Sequence, residues 1–267
     1  MLLAFDAGNT QTVIGLFSSR EQTPNDAKSA DAGLLDHWRV HTNHERTADE
    51  YALLIQEFLA FHDFDFEDDV NGIVVGSVVP RVTAALREMA RRYFNIEAVV
   101  LEPGVRTGMP ILYENPKEAG ADRIANAVAV IDLYGGPAIV VDFGTATTFD
   151  VVSAKGEYLG GAITPGVNVS LDALFDKAAG LRRVELGEPR AVIGRNTAEA
   201  IQSGVVFGYA ALVDGICDRI EAEVGPCTII STGGLATVLG PFTRKISADE
   251  PWLTLHGLRV VYARNRK

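Results

Sequence analysis

The chain has 267 residues, 47% of them hydrophobic and 22% charged, and carries a net charge of -11 at pH 7. That length allows one large domain or two of about 130 residues, and the composition excludes a disordered or membrane-embedded chain. The acidic balance argues against general nucleic-acid binding, which needs basic stripes, but leaves room for a local phosphate site.

The chain opens on a strand at 2–6, and a second is expected at 12–17. No basic segment precedes an apolar run, so a signal peptide is not expected, and no apolar run reaches transmembrane length. Residues 18–34 are polar and rich in Ala, Asp and Ser, which reads as an exposed loop. A strand resumes at 37–41, and His37, His41 and His44 read as structural. Thr47 and Glu50 have the spacing of a capping box, opening a helix whose Tyr51, Leu54, Ile55, Phe58 and Leu59 form one apolar face. A buried strand follows at 72–79, then a helix from Pro80 and a short strand at 97–101. The second half opens with a helix at 121–134, a strand pair over 138–161 and a helix at 167–179. A long helix at 196–224, interrupted near Ser203 and Gly204, leads to a strand at 228–232 and a short helix. This is an α/β pattern repeated twice. Cys217 and Cys227 lack any ligand spacing and read as reduced thiols rather than zinc ligands.

Two stretches echo each other about half a chain apart. An apolar strand ends in Asp6-Ala7-Gly8-Asn9-Thr10-Gln11-Thr12-Val13, and another ends in Asp142-Phe143-Gly144-Thr145-Ala146-Thr147-Thr148. One such turn is compatible with an ordinary hairpin. Two copies predict similar halves, each offering a tight turn to a shared cleft. Gly lets the backbone approach a ligand, small hydroxyls and N–H groups donate to phosphate, and Asp can hold a cation.

Four further groups fall at strand ends and helix starts. Asp122 and Arg123 occupy a helical first turn after Gly120 and Ala121. Asp there can be a dipole partner, whereas Arg there answers an anion. Gly160 to Gly166 carries three glycines around a short strand, suiting a flat ligand or a bulge. Asn196 or Thr197 can cap the long helix. Ser231-Thr232-Gly233-Gly234 makes a strand-to-helix turn that could support an adenine or ribose.

Together these motifs resemble the type III pantothenate kinase family, within the acetate and sugar kinase, heat-shock chaperone and actin superfamily. The resemblance runs through D-x-G-N-T at Asp6–Thr10, R-T-A-D-E-Y at Arg46–Tyr51 and G-A-D-R at Gly120–Arg123. It continues through Asp142–Thr148, Gly160–Gly166, Asn196–Gly204 and Thr232–Gly234. It implies two similar ribonuclease H-like (actin-like ATPase) domains around a central nucleotide cleft, divided as 1–119 and 120–267, with the C-terminal segment able to pack on the first. It implies an ATP-dependent phosphotransferase that gives 4′-phosphopantothenate from pantothenate, the first step to coenzyme A. It further implies a cytoplasmic homodimer, with pantothenate near its interface and no nucleic-acid or membrane partner.

By motif, Asp6 through Val13 would form the first phosphate loop, with Asp6 holding the Mg²⁺ region through water. Asp122 would be the general base. Tyr113, Gly120, Ala121, Asp122, Arg123 and Thr197 would bind pantothenate. Thr145 would contact ATP, Gly233 and Gly234 would lie near adenosine, and Asp142 would bind K⁺ or NH₄⁺. The 18–34 segment is longer than the family pattern and is expected to stay clear of the site. Rival readings fit less well. A short sugar kinase often carries a Cys/His zinc cluster, a chaperone-like ATPase is typically longer, and a silent relative would not keep Asp6, Asp122 and Asp142.

Overall fold

The computed structural model describes residues 1–18, 29–62, 64–65, 69–178, 181 and 183–266. The chain forms two compact units, Met1–Leu133 with Trp252–Lys267, and Tyr134–Pro251. The core of the expected loop, 19–28, lies outside the described residues.

In the first unit, strands β1 (Leu2–Ala7), β2 (Gln11–Phe17), β3 (Leu34–His41), β4 (Gly72–Ser77) and β5 (Val99–Val100) form one sheet in the order β3-β2-β1-β4-β5. β1 runs antiparallel to β2 and parallel to β4. Central strands buried on both faces need near-continuous apolar sequence, as in Leu2-Leu3-Ala4-Phe5 and Ile73-Val74-Val75. Helices α1 (Ala48–Ala60) and α2 (Pro80–Phe94) bury Tyr51, Ile55, Leu59, Leu86 and Met89 against Leu3, Phe5, Ile14 and Val75. The capping box at Thr47 and Glu50 is formed in both directions.

The second unit repeats the plan. Its strands β6 (Ala138–Phe143), β7 (Ala146–Val152), β8 (Tyr158–Pro165), β9 (Thr228–Thr232) and β10 (Ala248–Asp249) are ordered β10-β9-β6-β7-β8. Taken from the other edge, this is the first sheet strand for strand, with the same parallel and antiparallel senses. The arrangement is ribonuclease H-like in both units. Helix α4 (Val167–Lys177), helix α5 (Thr197–Val224) and the short helix α6 (Ala236–Leu239) complete it.

Two expectations change at α5. It is continuous through Ser203 and Gly204. A Cβ at position 204 would meet nothing, so this exposed glycine lowers helix propensity without breaking the helix. The helix is also long and apolar enough to cross a membrane, against the expectation that no segment is. Its buried stripe, Ser203, Val206, Ala210, Val213 and Cys217, instead belongs to the second core, in which Val206 and Val213 cluster with Val141 and Phe143. Both cysteines are free, and burial pushes the Cys217 thiol up to about 12, which keeps it protonated.

The units divide after Leu133 rather than at the expected 119/120. The cause is helix α3 (Ala121–Tyr134) and an unanticipated C-terminal helix, α7 (Leu253–Asn265). α7 lies on the first sheet where glycines leave room: Leu255 fills the space beside Gly15, Leu258 beside Gly76 and Tyr262 beside Gly72. α3 then packs on α7. Thr254 Oγ1 bonds Asn126 Oδ1 at 2.7 Å, and His256 Nε2 lies 2.9 Å from Asp132 Oδ2. Arg259 Nη2 approaches His256 Nδ1 at 3.0 Å. A guanidinium only donates, so Nδ1 accepts and the Nε2–H is left to donate to Asp132. Gly257 meets the backbone of Ala125 directly, and a Cβ there would stand 3.0 Å from Ala125 Cα and closer still to its carbonyl.

Gly257→Val is therefore expected to prise α3 from α7. The stability loss should be about 2–3 kcal/mol, an overpacking effect, seen as a lower urea midpoint. An unchanged midpoint would show that the helices tolerate separation there.

Candidate active site

The first turn is held from the protein side. Asp6 is the penultimate residue of β1 and pairs across the hairpin with Val13. Gly8 N–H donates to the Gln11 carbonyl at 3.0 Å, and Thr42 N–H donates to the Thr10 carbonyl at 3.0 Å. The Thr42 hydroxyl donates to the Gly8 carbonyl at 2.8 Å and lies 2.9 Å from the buried Thr12 hydroxyl. Val78 N–H donates to the Ala7 carbonyl at 3.2 Å. The carbonyls of Ala7, Gly8, Thr10 and Gln11 are thus all engaged. That suits an anion site, where a free acceptor would repel the ligand. Asn9, Thr10 and Gln11 are exposed at the tip.

The same unit brings Asp122 to this turn. Gly120 sits beside Val78, where a Cβ would lie 3.7 Å from Val78 Cγ1 and against the Asp122 carboxylate. Val78 in turn holds the Ala7 carbonyl, so one residue links the end of β1 to the start of α3. Arg123 N–H donates to Asp122 Oδ1 at 2.8 Å, and Ile124 N–H to the Gly120 carbonyl at 3.1 Å. Asp122 is half-buried and Arg123 is buried at 6% exposure. The Asp122 carboxylate thus stands in the first turn of α3, next to a buried arginine. Tyr113 is half-buried in the segment leading to α3.

The second unit holds its own turn differently. Asp142 pairs with Thr148, six residues on, whereas Asp6 pairs with Val13, seven on. The hairpins therefore differ by one residue, which aligning the two motifs does not reveal. Gly166 N–H donates to the Thr145 carbonyl at 3.1 Å, so the end of β8 closes on the turn. Gly233, at φ +93, lies against it too. A Cβ at 233 would stand 2.5 Å from Asp142 Oδ1 and 2.7 Å from Phe143 N, so the position needs glycine. Asp142, Thr145, Gly166 and Gly233 thus form one group.

Asp150, which sequence reasoning passed over, is fully buried on the same face of β7 as Thr148. It accepts from Tyr158 at 2.9 Å and Thr148 at 3.1 Å. A lone Asp inside Phe149-Asp150-Val151-Val152 was the available signal. Thr197 stands exposed in the first turn of α5. Asn196 caps that helix, its Oδ1 accepting from Glu199 N at 2.9 Å, so Thr197 is not needed for capping. A hollow of about 570 Å³ lined by Arg190, Arg195, Asn196, Glu199 and Gln202 flanks it.

Among the described residues, no three His, Cys, Asp or Glu gather as a metal cluster. The single carboxylate at Asp6 fits a hard cation that takes most of its oxygens from water and phosphate, as Mg²⁺ does, and does not fit one caged by protein alone.

Known proteins resemble this chain over its full length. The family model for type III pantothenate kinase matches residues 2–219. The type III pantothenate kinase of Streptomyces griseus is 51% identical over 273 residues, covering 99% of this chain and 98% of that one. That of Myxococcus xanthus is 49% identical over 266 residues, covering 99% of each. Among solved structures, the activator of 2-hydroxyisocaproyl-CoA dehydratase from Clostridium difficile, with bound ADPNP, shares the fold at a TM-score of 0.56. It is 10% identical and is matched over 98% of this chain and 93% of that one. Component A of the (R)-2-hydroxyglutaryl-CoA dehydratase of Acidaminococcus fermentans gives 0.54 at 13% identity, over 98% and 95%.

Proposed function

The chain belongs to the type III pantothenate kinase family, and from that premise we propose how its residues divide the reaction. As a member it is an ATP-dependent kinase that phosphorylates pantothenate to 4′-phosphopantothenate in coenzyme A biosynthesis. The observation that carries the assignment is the identity of about half the residues over essentially the whole chain of its relatives.

In our reading Asp122 takes the proton of the 4′-hydroxyl as the new O–P bond forms. The turn from Asp6 to Val13 cradles the phosphates of ATP, and Asp6 orients the Mg²⁺ region. Bound Mg²⁺ would neutralise charge on the phosphate oxygens. Gly120, Ala121 and Arg123, with Tyr113 and Thr197, hold pantothenate, the Arg123 guanidinium suiting an oxyanion. Thr145 contacts ATP, and Gly233 and Gly234 flank the adenosine. Supporting this reading, the first turn and Asp122 are linked through Val78 within one unit.

Asp142 holds a monovalent cation, K⁺ or NH₄⁺, in the same proposal. The supporting feature is a half-buried carboxylate packed beside the Gly233 backbone. We further propose a homodimer in the cytoplasm with pantothenate near its interface. Ile201, Val205 and Leu212 of α5 lie at the margin of the second core, packed against it and only partly buried. Val192 and Ile193, just before it, are 70% and 84% exposed. Exposed apolar surface of this kind suits a two-fold contact.

Two outcomes check these assignments. ADP release should rise sharply when pantothenate is added in K⁺ and fall when Na⁺ replaces K⁺, with Asp142→Ala flattening that difference. Equal rates in the two salts would remove the cation from Asp142. Sedimentation at micromolar concentration should give about twice the 28.7 kDa chain mass. A fully active monomer would refute the dimer.

A further inference from the structure

The Arg46-Thr47-Ala48-Asp49-Glu50-Tyr51 run has only partly structural employment. Thr47 and Glu50 cap α1. Asp49 accepts from Arg92 at 2.8 Å and from the Tyr93 hydroxyl at 2.7 Å. Ala48 is core. Arg46 and Tyr51 are left, and both are anomalous. Tyr51 is fully buried, and within the chain its hydroxyl meets only Thr12 and the Arg46 guanidinium, without a well-formed hydrogen bond to either. The Arg46 guanidinium lies over the Tyr51 ring, 5.2 Å from its centroid. Its Nη1 is shielded from solvent and makes no well-formed hydrogen bond. Leaving a buried donor unmade is unfavourable by about 1–3 kcal/mol, and more for a charged group. The phenol can donate only to Thr12 and Arg46 only to the phenol oxygen, so the guanidinium is left without the charged acceptor it suits.

Their position says where that acceptor comes from. Thr12 faces the Tyr51 hydroxyl, and burial raises the tyrosine's pKa, so the phenol stays a donor. Thr12 bonds Thr42, and Thr42 bonds the Gly8 carbonyl. The pair therefore stands directly behind the first turn, whose own carbonyls are already engaged. A guanidinium fork beside a hydroxyl donor is matched to an oxyanion, best of all to a phosphoryl group.

We propose that Arg46, braced on the face of Tyr51, is a further catalytic residue that binds an oxygen of the ATP γ-phosphoryl group during transfer. The proposal rests on the first turn being the phosphate loop. In the step itself the 4′-hydroxyl oxygen of pantothenate bonds to the γ-phosphorus and the bond to the β,γ-bridging oxygen breaks. The electron pair leaves on ADP and the hydroxyl proton goes to Asp122. Arg46 gives up no proton. Its charge offsets the negative charge on the transferring group.

The test measures calorimetric binding of ADP and of a non-hydrolysable ATP analogue, alongside kcat, for wild type, Arg46→Ala and Arg46→Gln. Two substitutions keep the result readable if one fails to fold. Removing a single donor of this kind should lower kcat roughly 10²–10³-fold. Affinity for the ATP analogue should fall while ADP affinity holds, and free guanidinium below denaturing concentration should restore part of the rate to Arg46→Ala. Three results would overturn the proposal: an unchanged kcat, an equal loss of ADP and analogue binding, or a change confined to the KM for pantothenate. The last would mean that the oxyanion is the pantothenate carboxylate. Gly8→Val separates the underlying premise. If it leaves analogue binding intact, the turn is not the phosphate loop, whatever Arg46 does.

Discussion

Close packing of α7 into the glycine trough of the first sheet is the constraint on which the first unit depends. Gly15, Gly72 and Gly76 give up side chains so that Leu255, Tyr262 and Leu258 can lie against β2 and β4. α3 then rests on α7, backbone to backbone at Gly257 and Ala125. Interiors packed to this density have little slack, so the start of α3 is fixed relative to the end of β1. That start carries Asp122. A residue from the middle of the chain is therefore held beside the first turn by a helix from the end of the chain.

The two units share one strand order and one set of senses, yet their turns have diverged. The first hairpin is one residue longer, and Thr42 from the end of β3 buttresses it through its hydroxyl and its N–H. The second is closed by Gly166 and overlaid by Gly233, so backbone crowds the Asp142 carboxylate. One strand plan thus carries two differently buttressed turns, both exposed at their tips, with backbone crowding the carboxylate of the second.

Much of this was legible in the sequence because it rests on local signals. Apolar runs ending in Asp-x-Gly mark β1 and β6, and the Thr47–Glu50 spacing gave the cap of α1. What escaped depended on distant partners. α7 lacks a side-chain cap and has a weak amphipathic pattern, since sheet and α3 cover different sides of it. The unit boundary falls after α3 because that helix packs on α7 and stays with the first unit rather than with the strands that follow it. Asp150 was hidden among apolar strand residues, and its partner Tyr158 lies on the next strand. Arg46 and Tyr51 were visible as a motif, but the poorly matched guanidinium between them emerges only once burial is known.

The most direct test of the central claim, that this packing sets Asp122 as the base, is the Asp122→Asn exchange in a pantothenate-dependent ADP-release assay, with mass detection of 4′-phosphopantothenate. The amide keeps the shape of the helix start and removes the proton acceptor. The account predicts a fall in kcat of roughly 10²–10⁴-fold with ATP affinity little changed. A fully active Asp122→Asn enzyme would contradict it.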